Sequence, residues 1–193
     1  MKKVIFDIET KNIFSDVNSN NPADLDISVL CLWDSETGEY MSFLEDDFEK
    51  MWPIFKNTDM LVTFNGNHFD IPLLQKYCPF DLSEKKSLDM LEEVRLSLGK
   101  RIGLDSIAQA TLGTQKSANG LQAVAWWNEG KVDEIIKYCI DDVKVTKKVY
   151  DYALEKQELN FFDRVTGEKK DIKLDTSSWE KEDDTPAETG MLF

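Results

Sequence analysis

The stretch "VIFDIET", residues 4–10, places two carboxylates, Asp7 and Glu9, two positions apart in an otherwise apolar run. Because side chains alternate along a β-strand, Asp7 and Glu9 point to one side and Ile8 points to the other. The three apolar residues before Asp7 predict a central strand that is covered on both faces. Two unpaired carboxylates at the end of such a strand repel each other and lose hydration, so a cation, a basic partner or a proton must relieve them.

This pair leaves two interpretations open. Asp7 could cap the loop after the strand while Glu9 is solvated, or both could bind a metal ion. No lysine or arginine lies between Lys3 and Lys11, so a metal ion is the natural source of positive charge. The rest of the chain has to decide between the two.

The composition indicates a single globular domain with a real core. The chain has 193 residues, 41% of them hydrophobic, which suits one domain of ordinary size. Its three cysteines, Cys31, Cys78 and Cys139, form no C-x-x-C pair and lie in apolar surroundings. They are typical of reduced core residues in a cytoplasmic protein. No apolar run approaches 18 residues, and we expect neither a membrane span nor a signal peptide.

The net charge of −14 argues against a broad basic surface for nucleic acid. Residues 171–193 contribute seven acids against two lysines, yet the remaining body still carries an excess of acids. Any contact with nucleic acid must therefore be short, centred on metal, or assisted by another protein.

The element pattern predicts an α/β fold with a mixed sheet. Residues 27–34 and 39–45 predict an antiparallel hairpin beside the first strand, and residues 59–65 predict a buried strand. Helices are expected at about 46–56, 67–78, 88–98, 104–112, 120–128 and 132–156. We divide the chain into a domain over 1–157, a hairpin extension over 158–174 and an acidic, disordered tail over 175–193.

A second motif with an acidic residue lies in "LVTFNGNHFDIPLL", residues 61–74. A buried strand runs into the turn Asn65-Gly66-Asn67 and then into a helix whose first turn carries Asp70. This order places a carboxylate near the carboxyl edge of the sheet. The alternative is that Asp70 only favours the positive N-terminus of the helix.

The third motif is "YCIDDVKVT", residues 138–146, in the long helix. Helical spacing places Asp142 on an inward stripe, one turn after Tyr138, whereas Asp141 is the solvated member of the pair. A hydrogen-bonded core aspartate remains the alternative. Four inward carboxylates, Asp7, Glu9, Asp70 and Asp142, suit two hard divalent ions such as Mg²⁺ or Mn²⁺.

The three motifs F-D-I-E-T, F-N-G-x-x-F-D-x-P-L-L and Y-x-x-x-D, in this order over residues 3–155, resemble those of the DEDD 3′–5′ exonucleases with tyrosine in the third motif. The likeness is to the proofreading domain of family B DNA polymerases and to stand-alone bacterial exonuclease domains. It implies a ribonuclease H-like, mixed five-stranded sheet flanked by helices. It also implies hydrolysis at the 3′ end of single-stranded nucleic acid, with DNA favoured over RNA, and it leaves proofreading, DNA repair and turnover open as the role.

Carried over by motif, the resemblance implies that Asp7, Glu9, Asp70 and Asp142 bind two metal ions, Mg²⁺ or Mn²⁺. Tyr138 would orient the attacking water, since a phenol with a pKa near 10 is a poor base at neutral pH. Substrate contacts are expected from Asn65, Phe69 and Thr10. Asp89 is a supporting candidate, and His68, the only histidine, receives no catalytic role.

Two other functions remain as alternatives. A haloacid-dehalogenase-like phosphatase also places an acidic motif after an apolar strand, but it needs a short Asp where this chain has Glu9, and it leaves F-N-G-N-H-F-D unexplained. A catalytically silent binding module would keep the fold, although all four carboxylates are retained here. The ending Met191-Leu192-Phe193 resembles short peptides that bind the sliding clamp, which predicts either a clamp partner or docking onto the body.

Overall fold

A five-stranded sheet forms the centre of the protein, for which a computed structural model describes residues 1–114 and 120–181. Its strands are β1 (Lys3–Thr10), β2 (Ile27–Asp34), β3 (Tyr40–Phe43), β4 (Met60–Thr63) and β5 (Lys86–Asp89). Their order is β3-β2-β1-β4-β5. β1 pairs antiparallel with β2 and parallel with β4, and β4 pairs parallel with β5. The predicted α/β fold with a mixed five-stranded sheet is therefore confirmed.

Helices flank this sheet over the described residues. They are α1 (Phe14–Val17), α2 (Phe48–Asn57), α3 (Asp70–Gln75), α4 (Met90–Leu98), α5 (Leu104–Leu112), α6 (Gly120–Asn128) and α7 (Val132–Lys156). Three 3₁₀ turns lie at Pro22–Asp24, Glu45–Asp47 and Leu82–Glu84. Within the described part of the chain, no helix combines the length and the apolar character that crossing a bilayer requires.

β1 divides the core into two halves, as its alternation predicts. Phe6 and Ile8 are buried in a cluster that contains the apolar side chains of α2 and α3. Ile5 belongs to the other cluster, which contains the buried side chains of α7. Asp7 and Glu9 share the side of Ile5, because side chains alternate along the strand. The two acids therefore point towards α7.

The predicted hairpin is present after α7, as β6 (Glu158–Phe162) paired antiparallel with β7 (Lys169–Lys173). It belongs to the main core, since apolar residues at every second position are buried there: Leu159, Phe161, Ile172 and Leu174. The predicted domain boundary at residue 157 therefore lies within the packed unit, because β6 and β7 contribute side chains to the same core.

The start of the predicted disordered tail packs on the body, which corrects the boundary at Asp175. Trp179 is 2% exposed, and its ring stacks on Tyr150 at 5.9 Å between centroids. Tyr150 in turn donates a hydrogen bond to Glu180 at 2.8 Å. The tryptophan supplies enough apolar area to anchor an otherwise polar segment. Residues 182–193, with the predicted clamp peptide Met191-Leu192-Phe193, lie outside the described residues.

Candidate active site

Three carboxylates from two elements meet at the end of β1. One oxygen each of Asp7, Glu9 and Asp142 lies within 4.8 Å of the others, and no other such acidic, histidine or cysteine group occurs in residues 1–114 and 120–181. The pairing of β1 with β2 shifts register between Glu9 and Thr10. Such an irregularity turns the strand and re-aims its side chains, and it recurs beside active sites.

The long helix α7 presents its two predicted site residues one turn apart. The hydroxyl of Tyr138 lies beside the carboxylate of Asp142 and lowers the pKa of that carboxyl. The ring of Tyr138 packs edge-on against Trp126, with centroids 6.2 Å apart. Asp141 is 44% exposed and pairs with Lys144 at 3.0 Å. The helical spacing therefore identified correctly which of the two adjacent aspartates faces inward.

Asp70 reaches the same cavity from the first turn of α3. It is 4% exposed, and its Oδ1 accepts a hydrogen bond from the backbone amide of Ile8 at 3.1 Å. Since the pairing of β1 with β4 ends at Ile5, this amide lies beyond the parallel ladder, and the carboxylate serves as its acceptor. Asp70 is thus more than a helix-terminus residue, because it joins α3 to the acidic strand.

The four acids are held under electrostatic strain in the absence of positive charge. Burial, together with the neighbouring acids, raises the pKa values of Asp7 and Glu9 well above their usual range. Burial also raises the pKa of Asp70 to about 7, despite two backbone hydrogen bonds that lower it. The pKa of Asp142 is raised to about 6, again chiefly by burial. A bound cation would reverse each of these shifts.

The turn after β4 is held by Asp89, the supporting candidate of the sequence analysis. Its carboxylate accepts hydrogen bonds from the amides of Asn65 at 2.7 Å and Asn67 at 3.1 Å, and it also caps the N-terminus of α4. Gly66 is required by close approach, since a Cβ there would lie 2.3 Å from the hydroxyl of Thr63. The turn holds Asn65 at φ 76°, a left-handed conformation that asparagine tolerates.

These elements surround an open cavity of about 710 Å³. All eight predicted site residues line it: Asp7, Glu9, Thr10, Asn65, Phe69, Asp70, Tyr138 and Asp142. Thr10 is 8% exposed, and its hydroxyl donates to the carbonyl of Asn12 at 2.8 Å. His68 is exposed on the turn and is absent from the lining residues. The structure thus brings the predicted residues together, while their roles remain proposals.

The cavity also has apolar walls that the sequence analysis did not assign. Phe14 packs edge-on against Phe69, with ring centroids 6.2 Å apart, and Leu121 and Val124 of α6 also line the space. Leu121 is 67% exposed. An apolar phenylalanine inside the polar segment 12–26 was the available signal for Phe14. Nothing comparable marked Leu121, because apolar residues at helical spacing usually belong to the core.

The donor set of this site fits a hard divalent cation. Carboxylate oxygens are the ligands that Mg²⁺ and Mn²⁺ prefer, and three of them converge from Asp7, Glu9 and Asp142. Among the described residues that line the cavity, none is a lysine or an arginine. Burial raises the pKa values of all three acids, and no cation of the described residues is among the causes that act on them.

The comparisons with known proteins agree with this geometry. The model of the RNase_H superfamily matches residues 4–154, which include all three motifs. The chain belongs to the RNase H superfamily. Among solved structures, it is similar to the family B DNA polymerase from the hyperthermophilic archaeon Pyrobaculum calidifontis, with a TM-score of 0.61 and 20% identity. The match covers 80% of this chain and 24% of the polymerase. No curated protein matches the chain.

The family assignment confirms the resemblance drawn from the motifs at the level of superfamily and fold. A nuclease-type fold with a convergent acidic cluster is therefore in place. The chain spans about a quarter of the polymerase that it resembles, and an identity of 20% supports the fold alone.

Proposed function

We propose that this protein is a metal-dependent 3′–5′ exonuclease that hydrolyses phosphodiester bonds at the 3′ end of single-stranded nucleic acid, with DNA favoured over RNA. The observation that carries the proposal is the convergence of Asp7, Glu9 and Asp142, with Tyr138 beside Asp142, in one open cavity with apolar walls. A strand end can enter such a cavity, with its phosphate at the acids and its bases against the aromatic wall.

The carboxylates would hold two divalent ions, Mg²⁺ or Mn²⁺. Asp7, Glu9 and Asp142 supply the convergent oxygens, and Asp70, which lines the same cavity, supplies the fourth carboxylate. When bound, such ions lower the pKa of a water molecule and stabilise the leaving oxygen of a phosphodiester. Without them, the acids repel the phosphate that the site has to accept.

Tyr138 would orient the attacking water and leave the proton to other groups. Burial, reinforced by the charge of Asp142, raises the pKa of its phenol far above neutral pH. The hydroxyl therefore stays protonated and serves as a hydrogen-bonding group. Its proximity to Asp142, seen in its effect on the pKa of that carboxyl, places the oxygen beside the acidic cluster.

Strand binding would be shared by the turn after β4 and the aromatic wall. Phe69 and Phe14 form an edge-on pair beside the acids, and a terminal base can pack against such a surface. Asn65 is held by Asp89 at the rim, where its side chain can contact the strand. Thr10, at the end of β1, is the third proposed contact.

The direct test uses three substrates with the purified protein. A 5′-labelled linear strand should yield a ladder that shortens from the 3′ end in Mg²⁺ or Mn²⁺, and EDTA should stop it. A circular single strand should remain intact, since it offers no end. Comparison of matched DNA and RNA strands measures the sugar preference. Turnover of the circle, or persistence of cleavage in EDTA, would contradict the proposal.

Adjacent aspartates provide a matched pair of variants. Asp142→Asn should abolish cleavage, whereas Asp141→Asn should retain it, because Asp141 is exposed and paired with Lys144.

The two alternative functions, a phosphatase and a silent binding module, predict different results. A phosphatase would hydrolyse small phosphomonoesters such as p-nitrophenyl phosphate, and a silent module would bind a strand without shortening it.

A further inference from the structure

A second cavity, of about 240 Å³, lies beside the hairpin β6–β7. It is lined by the segment that leads into α5, including Lys100 and Arg101, and by the end of β6 with its turn, including Phe162 and Arg164. We call this surface the basic groove. Phe162 is 38% exposed, and the neighbouring Val165 is 94% exposed. The groove thus combines cations with an accessible aromatic ring.

The three cations of the basic groove form no close ion pair with a carboxylate in the described part of the chain, although Arg101 is near enough to Glu92 to contribute to the lowered pKa of that carboxyl. Most of the other basic side chains in the described residues form an ion pair with a carboxylate. The ammonium group of Lys100 instead lies 4.7 Å from the ring centroid of Phe161. Arg101 donates a hydrogen bond to the side-chain oxygen of Asn65. No ion pair to Arg164 occurs among residues 1–114 and 120–181. The lining carboxylate, Asp163, already pairs with Lys170 at 3.1 Å.

Arg101 connects the basic groove to the candidate active site. Arg101 lines the groove, and Asn65, which accepts a hydrogen bond from its guanidinium, lines the acidic cavity. A chain that leaves the acidic cavity past Asn65 therefore meets the groove next. Three cations can contact successive phosphates there, while Phe162 offers a stacking surface for a base.

We propose that the basic groove binds the upstream part of a single strand whose 3′ end lies in the acidic cavity. This inference rests on the proposed exonuclease function and adds where the rest of the substrate runs. It would explain how a protein of net charge −14 holds a polyanion, because Lys100, Arg101 and Arg164 lie together on the path of the strand. An acidic peptide would match the charge but would make no use of the link through Asn65.

The test is a strand-length comparison with the double variant Lys100→Gln/Arg164→Gln. For a strand of about 12 nucleotides, KM should rise roughly tenfold while kcat stays within about twofold, because the chemistry is untouched. For a tetranucleotide, which fills only the acidic cavity, KM should barely change. In an Asp142→Asn background, the slope of log Kd against log salt should fall by about 1.4, since each phosphate contact contributes about 0.7 for single strands.

A charge-matched control is Lys56→Gln/Lys148→Gln, which removes two exposed lysines that line neither cavity. This control should behave as the parent for both lengths. A Phe162→Ala variant should raise KM for the longer strand at least about fivefold, as expected for one lost stacking contact, and Phe162→Trp should restore it. Melting curves verify that each variant is folded.

The outcomes separate the two proposals. If the parent cleaves no strand of any length, the exonuclease proposal fails. If it cleaves, but the groove variants match Lys56→Gln/Lys148→Gln for the longer strand, the basic groove does not bind substrate. Displacement of the strand by poly-glutamate at equal charge concentration, lost in Lys100→Gln/Arg164→Gln, would also overturn the inference, because it would identify a surface for acidic peptides.

Discussion

Asp142→Asn should make the metal-free protein more stable at neutral pH while abolishing its activity. The folded state raises the pKa of Asp142 from 3.8 to about 6. A shift of roughly two units corresponds to about 3 kcal/mol of unfolding free energy lost when the carboxyl is ionised. Asparagine avoids this cost, although loss of the favourable interaction between the carboxylate and the Tyr138 hydroxyl offsets about 1 kcal/mol. The net gain of about 2 kcal/mol should raise Tm by roughly 4–8 °C.

The sign of the pH dependence makes this prediction specific. Because the folded pKa is raised, the parent carries its full stability below pH 3.8 and loses it as the pH rises through about 6. The advantage of Asp142→Asn should therefore be nearly complete at about pH 7.5 and small at about pH 4.5. Thermal and denaturant unfolding in EDTA at these two pH values measures the difference.

The neighbouring Asp141→Asn is the control, because its carboxylate is exposed and should alter stability by less than about 1 kcal/mol at either pH. Addition of Mg²⁺ should stabilise the parent by mass action and Asp142→Asn far less. A variant that is less stable than the parent at both pH values would refute the reasoning, since Asp142 would then be a satisfied core residue. An advantage that did not depend on pH would refute it equally.

Further variants test the parts that surround the acids. Tyr138→Phe should lower the cleavage rate roughly 10- to 1,000-fold with metal affinity nearly constant, measured by single-turnover kinetics and calorimetry; an unchanged rate would leave the hydroxyl without a role. Asp89→Ala should destabilise the fold by about 2–4 kcal/mol in urea unfolding, because buried amides lose their acceptor; a loss under about 0.5 kcal/mol would contradict that bracing role. Deletion of residues 189–193 should leave cleavage of short strands intact and remove binding to a sliding clamp; a lowered Tm would instead assign this segment to the fold.

The strands, the helices and the acidic cluster could be predicted from the sequence, because each follows from the spacing of side chains along one strand or one helix. Asp7 and Glu9 share a face by the period of two, and Asp142 separates from Asp141 by the period of 3.6. The apolar runs likewise predicted α4 to α7 to within about two residues at each end. Where apolar side chains repeat at the spacing of a strand or a helix, the repeat indicates which face of the element is buried.

Contacts between residues far apart in the chain cannot be predicted from such local spacing. The carboxylate of Asp89 braces a turn that ends 22 residues earlier, and no pattern in either segment announces the pairing. Trp179 stands in a polar segment, and its partner Tyr150 lies on α7, so composition alone suggested disorder. Phe14 and Leu121 became walls of the cavity only because α1 and α6 are placed beside the end of β1.

Acidic and basic side chains occupy two separate but neighbouring surfaces of the molecule. Three carboxylates converge at the end of β1, and no lysine or arginine is among the described residues that line that cavity. Lys100, Arg101 and Arg164, which form no ion pair with a carboxylate of the described residues, lie together in the basic groove. Arg101 and Asn65 stand between the two. Under the proposed function, a single strand would place its 3′ end at the metal held by the acids and its upstream phosphates at the cations of the basic groove. A small phosphomonoester or a free peptide would contact only one of the two sites.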